Sequence, residues 1–189
     1  MNELDLINAA GNGDLKRVKE LIIAGANLEI QDEYGNTTLI YASAKNDLGI
    51  VKELILAGAN LDIQTNAGDT ALIWAIINNN LQISKELIQA DANLDLQDKD
   101  GWTALIWASY NNHLEIVKEL ILAGANIDIQ DNDGKTALKW NKEFWEKLEI
   151  QEIICKNDPS IINLMKENDI KIQPEIEEEF GSSVDLGLF

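Results

Sequence analysis

The side chains that most often carry out chemistry are scarce in this sequence. His113 is its only histidine and Cys155 its only cysteine. One of each cannot supply the ligands of a zinc site, and the two residues lie in different parts of the chain, so a Cys-His nucleophile pair is not indicated. The sequence also has no glycine-rich phosphate-binding loop. We therefore expect a protein that is not an enzyme and needs no cofactor or metal, with His113 in a structural role and Cys155 as a buried thiol.

Carboxylates are the abundant ionisable groups. The chain has 33 Asp and Glu against 15 Lys and Arg, a net charge of −18 at pH 7. Binding of nucleic acid needs clustered basic side chains, so nucleic acid is excluded as a partner and anionic membranes are disfavoured. No apolar run approaches the roughly 20 residues of a membrane helix, and the first residues do not resemble a secretory signal. We expect a cytoplasmic protein, folded in a reducing environment, whose acidic surface suits a basic partner.

Residue types recur along the chain with a period of 33 positions. The most complete copy, residues 98–130, has a turn at Gly101, a capping Thr103, a helix over Ala104–Tyr110 and a second helix over Leu114–Ala123. Helices this short are unstable alone, so the copies must stack on one another. The recurring turn, cap and core positions are Gly35, Gly68, Gly101 and Gly134; Thr37, Thr70, Thr103 and Thr136; and Leu39, Leu72, Leu105 and Leu138.

The period predicts an all-α solenoid of stacked helix pairs over residues 1–157. Its units are 1–33, an N-terminal capping repeat; 34–66, 67–99 and 100–132, three internal repeats; and 133–157, a C-terminal capping repeat. Arg17 stands where later units carry isoleucine, which suits a terminal unit with one flank in water. Residues 158–189 follow as an accessory helix, Pro159–Asn168, and an acidic tail. The irregular Thr65 and Asp91 argue against a consensus-designed array.

The units resemble ankyrin repeats over residues 1–157. The family pattern Asp-x-x-Gly-x-Thr-Pro-Leu-His, Gly-His-Leu-Glu-Ile-Val and Gly-Ala-Asp-x-Asn corresponds here to DKDGWTALI, NHLEIV and GANID. The resemblance implies antiparallel helix pairs, first helices lining a concave face, turn fingers projecting beside it, and protein binding. The Pro-Leu-His triplet is replaced, for example by Ala104-Leu105-Ile106. The late Asn of the family is Asp62, Asp95 and Asp128, so the asparagine hydroxylation known in some members has no matching target.

Aromatic residues fall into two groups. One recurs with the period and indicates packing between repeats, with some exposed edge: Tyr41, Trp74, Trp107 and Trp140. Trp102, Tyr110 and Phe144 instead occupy positions that hold no aromatic residue in other units, where the stack needs no large ring. We therefore predict that these three are exposed anchors that touch no neighbouring repeat and bind a partner. The predicted site, in the groove and finger tips of units two to five, comprises Trp102, Tyr110, Asp69, Asn78, Asp100, Asn111 and Phe144.

The acidic tail carries scattered apolar residues without periodicity. Such a composition stays disordered unless another surface holds it. We expect residues 175–189 to dock on a repeat surface of the same chain or of a second copy, which would allow self-association. The docking residues would be Phe180, Leu186, Leu188 and Phe189. The predicted landing site is the neutral last unit, with Lys135, Lys139, Lys142, Lys147 and Lys156.

Two functions are compatible with the sequence. The first is a non-catalytic module that binds a partner protein through the concave groove and the turn fingers. The alternative is an acidic inhibitor or immunity-type protein that neutralises a basic enzyme, such as a nuclease toxin, because residues 1–132 hold 20 acidic against 8 basic side chains. Binding that depends strongly on salt would favour the inhibitor, and weak dependence would favour the aromatic-led module.

Overall fold

The computed structural model describes residues 4–157, 159 and 161–181, and these form helices without any β-strand. The helices are α1 Asp5–Gly11, α2 Leu15–Ile23, α3 Thr38–Ala44, α4 Leu48–Leu56, α5 Ala71–Ile77, α6 Leu81–Gln89, α7 Ala104–Tyr110, α8 Leu114–Leu122, α9 Ala137–Trp140, α10 Lys142–Trp145, α11 Leu148–Asn157, α12 Ile161–Glu167 and α13 Pro174–Ile176. A π-helical turn, Glu177–Gly181, follows α13.

The helices stack in two rows. In one row α1, α3, α5, α7 and α9 each contact the next, and in the other row α2, α4, α6, α8 and α11 do so. The leucines that recur with the period fill the space between the rows: Leu39, Leu72, Leu105 and Leu138 are at most 2 % exposed. Because each helix pair buries its apolar faces mainly against its neighbours, stability comes from stacking. The predicted all-α solenoid is confirmed.

Polar caps stabilise the start of three of the first helices. The hydroxyls of Thr37, Thr70 and Thr103 accept the backbone N–H three residues later at 3.2–3.3 Å. A cap of this kind stabilises a helix by about 1 kcal/mol. Left-handed residues end the second helices, and Asp91 takes this place with a φ of 62°, where Gly58 and Gly124 have 82° and 87°. A residue with a Cβ is uncommon in this left-handed region, so Asp91 is a costlier residue there than glycine.

The turn before each first helix is a finger, and we name the fingers by their residues, 32–37, 65–70, 98–103 and 131–136. Within finger 98–103 the Asp98 carboxylate accepts the N–H groups of Asp100 and Trp102 at 2.9 and 2.8 Å. The N–H of Lys99 donates to Ala67 O at 2.9 Å and the N–H of Asn132 to Asp100 O at 3.1 Å, which joins neighbouring fingers. The fingers therefore form a hydrogen-bonded series that holds finger side chains in fixed positions.

Polar contacts also join successive units along the second helices and the loops after them. Three ion pairs of 2.8 Å link each second helix to the next: Lys19–Glu53, Lys52–Glu86 and Lys85–Glu119. Partly exposed pairs of this kind contribute at most about 1 kcal/mol each. The carboxylates of Asp62 and Asp95 accept the N–H groups of Asn93 and Asn126 in the next unit at 2.8 and 2.9 Å. The aspartates that replace the family asparagine thus bond adjacent units.

The last unit departs from the repeat at Asn141. Its backbone, with φ −148° and ψ 75°, ends α9 after four residues, and its side chain then caps α10 by accepting from Phe144 N. In the preceding units this part of the first helix continues for another turn. The break turns Phe144 into the core, where it is 0 % exposed beside Trp145. The prediction that Phe144 is an exposed partner-binding anchor is therefore wrong.

The accessory segment packs against the last unit. Helix α12 begins at Ile161, two residues after the predicted start at Pro159. The first part of the tail is helical, and its Ile176 and Phe180 pack with Cys155 and Ile162. This part of the tail thus contacts apolar residues of α11, in the last unit, and of α12. An ion pair from Lys166 to Glu177 at 2.9 Å supports it. The tail residues Leu186, Leu188 and Phe189 lie outside the described residues, so their docking stays a prediction.

Candidate functional site

Four aromatic rings meet where fingers 98–103 and 131–136 adjoin α7 and α9. Trp102 lies in the centre, with its ring centroid 4.6 Å from that of Trp107, 5.2 Å from Tyr110 and 4.5 Å from Trp140. Tyr110 and Trp140 meet edge to face at 5.7 Å and 89°. Tilted and edge-to-face contacts at these distances are favourable for aromatic rings. The structure therefore places the predicted anchors Trp102 and Tyr110 together with two members of the periodic aromatic column.

The contact with Trp140 corrects one expectation. Trp102 and Tyr110 were predicted to touch no neighbouring repeat, yet both contact Trp140 of the following unit. The two rings bridge the step between stacked units. Tyr110 keeps 49 % of its surface exposed, and Trp102 is partly buried. The two rings therefore serve the stack and still present surface to solvent.

A cavity of about 410 Å³ opens beside these rings. We call it the aromatic pocket, and its lining residues are Asp100, Trp102, Trp107, Tyr110, Asp131, Asn132, Asp133 and Trp140. Three of them, Asp100, Trp102 and Tyr110, belong to the site predicted from the sequence. Asp131, Asn132 and Asp133 were not among the residues predicted from the sequence. The sequence could have predicted them, because they lie in the finger that follows the finger of Asp100.

The finger aspartates orient the aromatic column. Trp107 Nε1 donates to Asp98 Oδ2 at 2.9 Å, and Trp140 Nε1 donates to Asp131 Oδ2 at 2.6 Å. In finger 65–70 the corresponding residue is Thr65, and the buried Trp74 Nε1 has no hydrogen-bond partner within the described residues. The rings of the aromatic pocket are therefore held by both packing and hydrogen bonds.

A second cavity, of about 330 Å³, lies two units earlier at the fingers 32–37 and 65–70. Asp69 lines it, together with Trp74 and Tyr34. Tyr34 is 63 % exposed and was not among the predicted site residues. It meets the same criterion as Trp102, since the matching positions hold Ala67, Asp100 and Asp133, so the sequence did contain the signal. Asp69 is thus separate from the aromatic pocket.

The two predicted asparagines lie at helix ends. Asn78 and Asn111 follow α5 and α7, and their side chains donate to the carbonyl oxygens of Trp74 and Trp107 at 2.9 and 3.1 Å. These bonds satisfy carbonyl groups that a helix end leaves without a partner. The structure therefore gives both asparagines a local structural contact and does not place them in either cavity.

Asp69 and His113 are two of the four described groups with a shifted pKa. Burial, followed by the negative charges of Asp98 and Asp100, raises the pKa of Asp69 above its usual value. Burial also lowers the pKa of His113, against an opposing hydrogen bond that the imidazole donates to the backbone of Ile76. A neutral, partly buried imidazole within the stack is compatible with the structural role expected for His113. The Asp69 carboxylate is held beside like charges.

The shift at Asp69 predicts a pH dependence of stability. A raised pKa favours the protonated form in the folded state. The contribution of Asp69 to the free energy of unfolding is therefore complete below its unfolded pKa of 3.8 and is lost as the pH rises through its folded pKa. We therefore expect Asp69→Asn to melt at a higher temperature than the parent near pH 7, with the difference closing at about pH 4 and below. Thermal midpoints measured across this range check the prediction. Asp128→Asn is the control for the loss of one charge. An equal, pH-dependent difference in thermal midpoint from the parent in both variants would contradict the prediction.

The described residues contain no group of three or more His, Cys, Asp or Glu side chains placed to hold a metal ion. None of the described helices combines the length and apolarity needed to cross a lipid bilayer.

Stacked helix pairs joined by hydrogen-bonded turn fingers define a repeat solenoid of the ankyrin type. The family model for ankyrin repeats, three copies long, matches residues 6–98 and again 78–164. The chain belongs to the ankyrin-repeat family, whose members are in general protein-interaction modules. No curated protein is significantly similar to the chain.

Proposed function

We propose that the protein is a non-catalytic module that binds a basic segment of a partner protein through the groove along the first-helix row and the fingers. The observation that carries the proposal is the aromatic pocket, where Tyr110 and Trp102 present ring surface beside exposed carboxylates. Partly exposed aromatic anchors are the residues that most often dominate protein interfaces. The family membership supports a protein as the partner.

The acidic groups around the pocket support a basic partner. Asp100 and Asp133 are exposed on adjacent fingers, and the half-buried Asp69 lies in the cavity two units earlier. No lysine or arginine forms an ion pair with Asp69 or Asp100 within the described residues. Positive side chains of a partner would relieve the repulsion among these carboxylates, because opposite charges within a few ångströms favour the ionised form.

The net charge of −18 supports a second candidate function, an acidic inhibitor of a basic enzyme such as a nuclease toxin. Such an inhibitor would cover a cationic cleft mainly through long-range electrostatics. Its affinity would fall steeply with salt. The aromatic-led module would keep most of its affinity, because contacts of buried rings are insensitive to screening.

The test is capture of partners from a cell lysate on the immobilised full-length protein, followed by affinity measurements with the identified partner at low and high salt. We expect Tyr110→Ala to weaken binding by about 2 kcal/mol, roughly 30-fold, with little change in thermal midpoint, because about half of its surface is exposed and would become buried on binding. Trp102→Ala should weaken binding too, but with some loss of stability, since its ring supports three others.

The matched control is Leu56→Ala. Leu56 is an exposed apolar residue, 81 % accessible, on α4 in the other helix row. We expect this variant to bind as the parent does. Equal affinity of Tyr110→Ala and the parent would contradict the placement of the site, and a loss with Leu56→Ala alone would move the interface to the second-helix row.

A further inference from the structure

The aromatic pocket has two walls of different chemistry. One wall is formed by the rings of Trp102, Trp107, Tyr110 and Trp140, and the other by finger residues that include Asp100 and Asp133. A ring face attracts a cation through its quadrupole, and a carboxylate attracts it through its charge. An occupant that matches both walls is a positively charged side chain.

A cation of the chain itself lies against one of these rings, although it does not line the pocket. Lys135 Nζ is 4.0 Å from the centroid of the Trp140 ring and 3.7 Å from Asp133 Oδ2. This lysine contacts an aromatic ring and a carboxylate, the same two groups that a cationic ligand would contact. Its side chain remains 42 % exposed, so it covers the ring without being locked in place.

The carboxylates of the pocket differ in how many hydrogen bonds they can still accept. Asp131 accepts the N–H groups of Asp133 and Lys135 with Oδ1 and the Trp140 indole with Oδ2, so its oxygens are engaged. No hydrogen bond or ion pair to the Asp100 carboxylate occurs within the described residues, and Asp133 has only the long contact to Lys135. Asp100 and Asp133 therefore have acceptor capacity for a ligand.

The ring geometry distinguishes between cations. Trp102 packs directly on Trp107 and Trp140, with centroids 4.6 and 4.5 Å apart, so the rings enclose no space for a quaternary ammonium group. What they offer is exposed ring faces beside carboxylates. A planar guanidinium stacks on such a face and directs its five N–H donors to carboxylate oxygens, whereas a trimethylated lysine has no donor. An unmodified lysine offers a point charge and no plane.

We propose that the aromatic pocket binds an arginine side chain of the partner, stacked on the aromatic wall and hydrogen-bonded to Asp100 and Asp133. This inference rests on the proposed function, and it names the residue type that the basic segment would insert. Lys135 is then a built-in competitor, because it occupies the Trp140 face and contacts Asp133. Its removal should open the pocket to arginine.

The experiment is a titration of the ¹⁵N-labelled full-length protein with three capped tripeptides, acetyl-Gly-Xaa-Gly-amide, where Xaa is arginine, lysine or trimethyllysine. The indole N–H signals of the five tryptophans report the site of binding. We expect the indole signals of Trp102, Trp107 and Trp140 to shift, those of Trp74 and Trp145 to stay, and arginine to bind about two- to fivefold more tightly than the other two peptides.

Variants sharpen the test. Lys135→Met should bind the arginine peptide about two- to fivefold more tightly than the parent, because it frees the Trp140 face. Lys139→Met removes the same charge from the same unit, but from a side chain that lines a different cavity, so it should change the affinity less. Asp100→Asn and Asp133→Asn should each weaken arginine binding while the thermal midpoint stays near that of the parent.

Three results would overturn the inference: trimethyllysine or lysine binding at least as tightly as arginine, equal shifts at all five indoles, or no shift in any of them. These results leave the proposed function standing if Tyr110→Ala still weakens binding of the captured partner. If that partner binds Tyr110→Ala as it binds the parent while the arginine peptide still shifts the three pocket indoles, the proposed function fails and the arginine pocket itself stands.

Discussion

Gly101→Ala is expected to destabilise the protein by about 3 kcal/mol, one of the largest effects of any single substitution. Gly101 has a φ of +80°, a region that costs a residue with a Cβ about 1–2 kcal/mol. An added Cβ would also lie 2.7 Å from Asn132 N and 2.9 Å from Asp131 Cα, both in the next finger. Backbone cannot move aside as a flexible side chain can. The variant should therefore separate fingers 98–103 and 131–136 and disturb the aromatic pocket between them.

The measurement is the free energy of unfolding from urea denaturation, with Gly124→Ala as the matched control. Gly124 has a similar φ of +87°, but a Cβ there would meet nothing within 4 Å. The control should lose only the conformational cost of about 1 kcal/mol, and the chain itself tolerates Asp91 at the same repeat position. Equal losses in the two variants would show that the contact with the next finger has no energetic consequence, contrary to this prediction.

Leu105→Ala is expected to cost about 2–5 kcal/mol of folding free energy. The Leu105 side chain is 1 % exposed on α7, in the middle of the stacked units. Its truncation leaves a cavity with α5 on one side and α9 on the other, because α7 contacts both. In an array of this kind the contacts between neighbours supply most of the stability, so a defect in a central unit should lower the midpoint of the whole transition.

Leu122→Ala is the control for this substitution. It removes the same atoms from a leucine of α8 that is 61 % exposed, so little buried area and no cavity are involved. We expect a change within about 0.5 kcal/mol of the parent. If Leu105→Ala costs no more than Leu122→Ala, the recurring leucine column is not the core that holds the stack together.

The sequence determined the architecture because residue types that specify turns, caps and core contacts recur every 33 residues. Gly101, Thr103 and Leu105 each return 33 residues earlier and later, and each type has one physical reason to be there: a left-handed turn, a helix cap and a buried contact. Local rules of this kind need no knowledge of neighbours, so the range of α7, Ala104–Tyr110, could be predicted to the residue. The same period showed which aromatic residues were additional to the stack.

Whether those additional aromatic residues are buried or exposed, and what they contact, depended on neighbours that lie outside their own repeat. Phe144 is buried because Asn141 breaks the first helix of the last unit, and the break redirects a position that is a helix end in every earlier unit. Asp131 and Asp133 entered the site because finger 131–136 lies beside finger 98–103, across 33 residues of sequence. Side-chain reach across the stack is a tertiary property. Only the tertiary structure therefore decided that Trp102 and Tyr110 share one pocket with Trp140, and that Asn78 and Asn111 serve helix ends instead.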